Sequence, residues 1–149
     1  KRILLPDPRF QDTLVTRFVN NLMLSGKKNK AFGIFYNTID IVAEKTKEDG
    51  LQVWKRALTN VSPQVEVKSR RIGGANYQIP QEVRPERKVA MAIKWLIFYA
   101  KERKEHRMSS GLASEIIAAA KNEGGAWKKK EDVHRMAEAN KAYSHFKIN

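Results

Sequence analysis

A basic segment with strand-like alternation, VEVKSRRIGGANYQIP, occupies residues 65–80. Three of the five residues before its Gly73-Gly74 pair are cationic: Lys68, Arg70 and Arg71. The alternation on both sides of the glycines predicts a β-hairpin with a tight turn. Because a bare two-stranded ribbon is marginal in water, a charged ribbon gains most where its tip reaches phosphate groups. We therefore expect these three cations to bind phosphates.

Tyr77 follows the turn and suits either of two roles. Its ring offers a stacking surface for an unpaired base, a contact that single-stranded RNA sites often use. Its other possible role is packing across the hairpin. The hairpin cations have an alternative as well, because charged edge strands resist aggregation. The segment predicts an RNA contact but leaves these alternatives open.

Basic residues cluster at further places along the chain. They are Arg2 and Arg9 around the first helix, Lys27, Lys28 and Lys30 in a predicted loop, Arg84, Arg87 and Lys88 at the start of the fourth helix, and Lys128, Lys129 and Lys130 at the start of the last helix. The helix dipole disfavours cations at a helix start, so an external anion would relieve the conflict there. Scattered basic sites favour a folded RNA, with phosphates at many angles, over a single DNA groove.

The whole chain is strongly basic. Its 149 residues include 29 Lys and Arg against 16 Asp and Glu, a net charge of +13, although residues 31–60 are neutral. Such an excess makes polyanions the natural partners, and the alternative is a highly soluble lysine surface. No cysteine is present, which excludes disulfides and cysteine-bound metals. The polyanion could be a nucleic acid or an anionic membrane. The longest apolar run, residues 95–100, is too short to span a membrane. We expect nucleic acid and no membrane partner.

Residues suited to catalysis do not converge in the sequence. His134 and His145 are about three helical turns apart, too far to share a metal ion, and His106 stands in a lysine-rich stretch. No serine or cysteine nucleophile accompanies them. Gly26-Lys27-Lys28 lacks the upstream glycine and the Lys-Ser/Thr ending of a phosphate-binding loop. We expect no catalytic residue, metal, cofactor or small-molecule substrate.

Apolar residues recur at helical spacing on both sides of the hairpin. The pattern predicts a mainly α fold, a bundle of five to six helices with one protruding β-hairpin, at about residues 64–81, between the third and fourth helices. We expect residues 1–149 to form a single domain.

Polar residues, prolines and glycines predict the helix boundaries. Asp7 is expected to cap the first helix, with Pro8 at its first position. Gly50 is expected to close the second helix, Gly111 to mark a break or a helix edge, and Gly124-Gly125 to stop the fifth helix.

Aromatic residues fall on or beside the apolar stripes. Those expected in the core are Phe18, Phe35, Trp54, Trp95 and Phe98. Trp127 lies between a glycine and a lysine triplet, without a clear apolar stripe, so either packing at a helix start or a partner contact fits it.

Four stretches resemble a known family, the seventh small-subunit ribosomal protein of bacterial type. They are KRILLPDPRF at residues 1–10, FVNNLMLSGKKNKA at 18–31, NVSPQVEVKSRRIGGANYQIPQEVRPERK at 60–88, and KKKEDVHRMAEANKAYSHF at 128–146. The resemblance covers nearly the whole chain, and the hairpin and C-terminal motifs are long and specific.

The resemblance implies a structural protein of the cytoplasmic ribosome that binds the major 3′ domain of small-subunit rRNA. Family members help to nucleate assembly of the subunit head, close to the exit-site tRNA, the messenger RNA path, and neighbouring head and platform proteins. The rRNA contacts it implies include Arg2, Arg9, Lys27, Lys28, Lys30, Lys68 and Arg84, and we add Arg87, Lys88, Lys128 and Lys129 from the basic clusters. The residues expected near tRNA or messenger RNA are Arg70, Arg71, Gly73, Gly74, Tyr77, Arg135 and Lys141.

The sequence departs from the family pattern at two positions. Gly111 stands where a basic residue is common, so no RNA contact is assigned there. Trp127 replaces a small or aliphatic residue. The family also has a basic N-terminal arm, and because this sequence starts with Lys1 we expect a further N-terminal piece.

Two other functions compete with rRNA binding. An architectural DNA-binding protein would also combine helices with a basic β-arm, but it would want a proline or apolar wedge at the tip, and the Gly73-Gly74 tip carries no proline. An RNA-processing enzyme would need a carboxylate cluster. The nearest one, Glu44, Glu48 and Asp49, stands among lysines and better fits a solvated helix surface.

Overall fold

The computed structural model describes residues 3–146, and helices dominate it. In chain order the elements are α1 (Thr13–Leu22), α2 (Lys28–Thr46), α3 (Gly50–Val61), β1 (Val65–Ile72), β2 (Ala75–Glu82), α4 (Pro85–Glu102), α5 (Met108–Ala120), α6 (Gly124–Ala139) and a C-terminal 3₁₀ helix (Lys141–Phe146). This order confirms the predicted helical bundle with a hairpin between the third and fourth helices. Arg2, a predicted rRNA contact, lies outside the described residues.

An aromatic cluster joins the first three helices. The rings of Phe18, Phe35 and Trp54 are fully buried, with centroids 5.0–5.5 Å apart. Helix α5 packs against α2, α3, α4 and α6, and its Leu112 and Ile116 are fully buried. The core is therefore assembled around α5, which leaves the hairpin at the side of α6.

Phe98 is not in the core, contrary to the prediction. Its side chain is 54% exposed on α4, whereas the neighbouring Leu96 and Ile97 are buried. Trp95 and Trp127 are partly buried and pack on the core. The Lys130 ammonium lies 5.6 Å from the Trp127 ring centroid, so this ring packs on one side and meets a cation on the other. Across residues 3–146 no helix is both long and apolar enough to cross a bilayer.

Two glycines predicted as helix stops or breaks instead allow helices to approach closely. Gly50 is the first residue of α3, capped by Asp49, and a Cβ atom here would lie 2.4 Å from the Ile39 carbonyl oxygen. Gly111 lies inside α5, where a Cβ atom would lie 2.8 Å from the Ala100 carbonyl oxygen. Helix α2 ends earlier, at Thr46, and its cap residue Lys47 is in the left-handed region with φ 61°. A pattern of single residues does not distinguish a glycine required by a neighbouring backbone from one that ends a helix.

Gly124 and Gly125 begin α6, whereas the sequence predicted that they stop α5. The buried carboxylate of Glu115 reaches this helix start, where it accepts a hydrogen bond of 3.0 Å from the backbone N–H of Ala126. Its other oxygen accepts a 2.8 Å bond from Nε of Arg103. The lysine triplet at 128–130 therefore lies just beyond the first turn of α6 and not at its start.

Asp7 closes a turn ahead of the first helix and does not cap that helix. Helix α1 begins at Thr13, and Asp12 is its cap. The Asp7 carboxylate, only 1% exposed, accepts hydrogen bonds from three backbone N–H groups and from the Tyr36 hydroxyl. Burial raises the pKa of Asp7, but these hydrogen bonds outweigh it and hold the pKa below its usual value. Asp7 thus ties the N-terminal segment to α2.

Candidate nucleic-acid interface

The hairpin is a regular antiparallel ribbon with a two-glycine turn. Gly73 and Gly74 have φ angles of 57° and 84°, the positive values that the predicted tight turn requires. The paired strands run from 65 to 82, one residue beyond each predicted position. Lys68 pairs with Ile79 and Arg70 with Tyr77, so these four side chains share one face of the ribbon. Arg71 alternates to the opposite face.

The outer half of the hairpin is attached to the C-terminal 3₁₀ helix. The Tyr77 ring lies 5.1 Å from the Tyr143 ring and 5.7 Å from the Phe146 ring, measured between centroids. Arg70 donates a 2.9 Å hydrogen bond from Nη1 to the Phe146 carbonyl oxygen. Sequence reasoning missed this contact, because Tyr77 was expected either to stack on a base or to pack across the hairpin. The nearness of both residues to tRNA or messenger RNA stays a prediction.

An ion pair fixes the base of the hairpin to the start of α4. Arg87 donates two hydrogen bonds to the Glu66 carboxylate, of 2.7 and 2.9 Å. The Glu66 side chain is 8% exposed and that of Arg87 is 52% exposed. Hydrogen bonding to Arg87 lowers the pKa of Glu66 and outweighs burial, which raises it. Arg87 therefore supports the hairpin, whatever anion it also meets.

Gln64 brings together three elements at the same place. Its backbone N–H donates a 2.9 Å hydrogen bond to Nε2 of His134 on α6, and its side-chain oxygen accepts a 2.8 Å bond from Nζ of Lys88 on α4. Burial lowers the pKa of His134, and the charge of Lys130 lowers it further. The neutral imidazole is the form that accepts this bond, so His134 has a structural role that the sequence did not indicate.

The predicted basic residues divide into two groups by their partners. Four of them bind carboxylates at 2.7–3.1 Å: Arg9 with Asp40, Arg87 with Glu66, Arg135 with Asp132, and Lys141 with Glu138. Within residues 3–146, ten others have no carboxylate within salt-bridge distance, and two of these, Arg70 and Lys88, instead donate to the Phe146 carbonyl oxygen and the Gln64 side-chain oxygen. The remaining eight are Lys27, Lys28, Lys30, Lys68, Arg71, Arg84, Lys128 and Lys129. All eight are exposed. These eight, called here the free cations, are the ones best placed to accept an external anion.

Three free cations form the start of α2, which was predicted to be a loop. Lys27 occupies the cap position without a side-chain hydrogen bond, and Lys28 and Lys30 lie in the first turn, which contains no acidic residue. The positive end of the helix dipole and three ammonium groups therefore coincide on an exposed surface. The backbone N–H of Lys28 donates a 2.9 Å hydrogen bond to the Gly26 carbonyl oxygen, whereas the next two N–H groups of this first turn have no acceptor within the helix and add donors for an anion.

The acidic cluster considered for catalysis has structural roles. Glu48 forms a 2.8 Å ion pair with Arg56, and Asp49 caps α3. In the described part of the chain, no group of three or more His, Cys, Asp or Glu side chains could hold a metal ion. The hypothesis of a metal-dependent RNA-processing enzyme gains no support from this region.

A helical body with a basic β-hairpin and a set of exposed free cations is the architecture of a polyanion-binding protein. The family described as "Ribosomal protein S7p/S5e" matches residues 1–141. The protein named "Small ribosomal subunit protein uS7" of Cytophaga hutchinsonii is 63% identical over 148 residues, which cover 99% of this chain and 96% of the relative. Proteins of the same name from Flavobacterium johnsoniae and Amoebophilus asiaticus are each 62% identical, with the same coverage. The chain belongs to the ribosomal protein S7p/S5e family, as the resemblance predicted.

Proposed function

We propose that this protein binds the major 3′ domain of small-subunit rRNA and helps to nucleate assembly of the subunit head. Its family membership makes it a structural constituent of the small ribosomal subunit and not an enzyme, which agrees with the non-enzymatic protein expected from the sequence. Its location is accordingly the ribosome, and rRNA is its general class of partner. We include residues 1–149 in the proposal as one rRNA-binding domain.

The observation that carries the proposal is the set of free cations. An ion pair with a carboxylate already satisfies part of a cation's charge, so an unpaired exposed cation gains more from a phosphate. Each phosphate contact releases counterions, which makes binding depend steeply on salt. The free cations lie on separate elements, α2, the hairpin, α4 and α6, and this fits a folded RNA with phosphates in several directions.

The finer part of the proposal concerns the hairpin tip and the end of α6. Arg71 and the Gly73-Gly74 turn are exposed beyond the contact with the C-terminal 3₁₀ helix. We assign this tip to the neighbourhood of the exit-site tRNA or the messenger RNA. Arg135, near the end of α6, and Lys141, the first residue of the 3₁₀ helix, are assigned to the exit-site tRNA and a neighbouring platform protein.

The proposal is tested by binding the purified protein to a transcript of the rRNA 3′ domain over a range of salt concentrations. Duplex DNA and an unrelated RNA of equal length serve as competitors. Tight binding that resists both competitors and weakens steeply with salt supports the proposal. Equal binding to all three nucleic acids would show that the charge of +13 acts without selectivity and would contradict it.

A further inference from the structure

Phe98 is an exposed aromatic ring in cationic surroundings. Among the large hydrophobic side chains that residues 3–146 expose, namely Ile3, Leu5, Leu24, Phe98 and Met136, it alone is aromatic. The ring borders a recess of about 180 Å³ between α1 and α4, lined by Asn21, Lys94, Ile97, Phe98 and Lys101. Burying this ring against a partner would remove apolar area from water and so favour binding.

Two lysines flank the ring on the same face of α4. Lys94 precedes Phe98 by four residues and Lys101 follows it by three, which are the spacings of neighbours on a helix surface. In the described structure neither lysine is within salt-bridge distance of a carboxylate, and neither ammonium lies over the ring. The two charges and the ring surface are therefore all available to the same occupant.

The Phe98 ring contacts its chain neighbour Tyr99. Phe98 makes a T-shaped contact with Tyr99, with 4.9 Å between centroids and 83° between planes. Tyr99 lies close against the backbone of α6, because a Cβ atom on Gly125 would be only 2.4 Å from its Cδ1. The contact with Tyr99 restricts the Phe98 ring on one side, which lowers the ordering cost when a flat group stacks on its exposed face.

We propose that Phe98, Lys94 and Lys101 form a stacking site for one unpaired nucleotide of the bound RNA. The base stacks on the Phe98 ring, and its flanking phosphates bind the two ammonium groups. Charge complementarity selects RNA as the occupant, because an apolar protein surface would leave both lysines without partners. An aromatic ring between cations is the arrangement that proteins use for single-stranded nucleic acid. The inference rests on the proposed rRNA binding and adds a site on α4 outside the hairpin and the start of α2.

The test compares full-length Phe98→Leu and Phe98→Tyr with the wild type, using the rRNA 3′-domain transcript. Leu keeps apolar area at this exposed position but removes the π surface, whereas Tyr keeps the ring. We expect Phe98→Leu to weaken binding by roughly 5- to 150-fold at every salt concentration, since a stacked base depends little on counterions. Phe98→Tyr should bind like the wild type. A double change of Lys94 and Lys101 to Gln should lower the salt slope by about 1.5.

Ultraviolet crosslinking of the wild-type complex, followed by mass spectrometry, provides an independent readout. A nucleotide adduct on Phe98 supports the stacking site. The proposal is overturned if Phe98→Leu binds the transcript like the wild type and no adduct forms at this residue. It is also overturned if Phe98→Leu changes the slope of log affinity against log salt but leaves the affinity at about 0.1 M salt unchanged. If the wild-type protein binds duplex DNA and unrelated RNA as well as the transcript, the proposed rRNA binding itself is contradicted. A failure of the stacking site and a failure of the proposed function are therefore distinguishable.

Discussion

Removing the charges at the start of α2 should strengthen the fold while weakening RNA binding. The perturbation is the simultaneous change of Lys27, Lys28 and Lys30 to Gln, which keeps the aliphatic stems. Three lost phosphate contacts, at about 0.7–0.9 each, lower the slope of log affinity against log salt by about 2–3. At 0.1 M salt this corresponds to roughly a 100- to 500-fold loss of affinity for the rRNA 3′-domain transcript.

The stability of the free protein should change in the opposite direction. Each cation opposes the helix dipole by about 0.3–1 kcal/mol, and the exposed positions of these three place them at the low end. Their removal should therefore stabilise the protein by about 1 kcal/mol, which raises the Tm by about 2–4 °C for a chain of this size. Salt-titrated binding and thermal unfolding at low ionic strength measure the two effects on the same sample.

A matched control removes the same charge elsewhere. Lys45, Lys47 and Lys121 lie at or near helix ends, where the dipole favours cations, and none is a predicted RNA contact. Changing these three to Gln should leave the salt slope unchanged and lower the Tm slightly. If the α2 variant keeps the wild-type slope, this helix start is not part of the interface. If its Tm falls as in the control, the argument from the helix dipole is wrong.

Three further perturbations test the hairpin base and the helix packing. Glu66→Gln should cost about 1–2 kcal/mol in urea unfolding, less than a fully buried pair because Arg87 is half exposed. The folded protein should lose stability as the pH falls below the usual Glu pKa of 4.5, because the ionised Glu66 carboxylate, whose pKa is lowered in the fold, is the form that stabilises it. The Glu66→Gln variant should show less of this loss. In the wild type, the contribution of His134 to stability should be complete above pH 6.5 and should be lost as the pH falls, because protonation of the imidazole removes the acceptor for the Gln64 N–H. The His134→Gln variant should therefore show a flatter dependence of the urea midpoint on pH between about pH 5 and 7. Gly50→Ala places a Cβ atom 2.4 Å from a carbonyl oxygen of α2 and should lower the free energy of unfolding by about 1–3 kcal/mol or more. The control is Gly33→Ala, which has open space around it and should not lower the Tm.

The elements that follow from local sequence were predictable. The Gly73-Gly74 turn needs positive φ angles, and the alternation on both sides sets the strand register, so the hairpin was placed to within one residue. Arg84, Arg87 and Lys88 were placed correctly at the start of the fourth helix, which begins at Pro85, because a proline at the first helical position has a purely local cause.

Long-range contacts account for the errors. Gly50 and Gly124-Gly125 were assigned as stops, but they begin helices and make room for the Ile39 carbonyl and the Tyr99 ring, which are distant in sequence. Phe98 was assigned to the core because it adjoins an apolar stripe, and a shift of one residue around a helix turns a side chain by 100°.

The candidate interface was predictable as a set of basic residues, but their partners were not. Arg87 and Lys68 both stand in basic stretches of the sequence, but Arg87 binds the buried Glu66 carboxylate whereas Lys68 has no carboxylate within salt-bridge distance in the described part of the chain. The roles of Glu66, Glu115 and His134 depend on partners 11 to 70 residues away, and no local signal indicates them.

The attachment of the hairpin to the C-terminal 3₁₀ helix has a consequence for synthesis of the chain. Arg70 and Phe146 are separated by 76 residues, so this contact cannot form until residue 146 has left the ribosome that makes the chain. Contacts of such separation also form late in folding because closing the loop costs entropy. The residues of the ribbon are therefore synthesised long before its outer half can be held in place, and a hairpin tip fixed for RNA recognition forms only after residue 146 has been added.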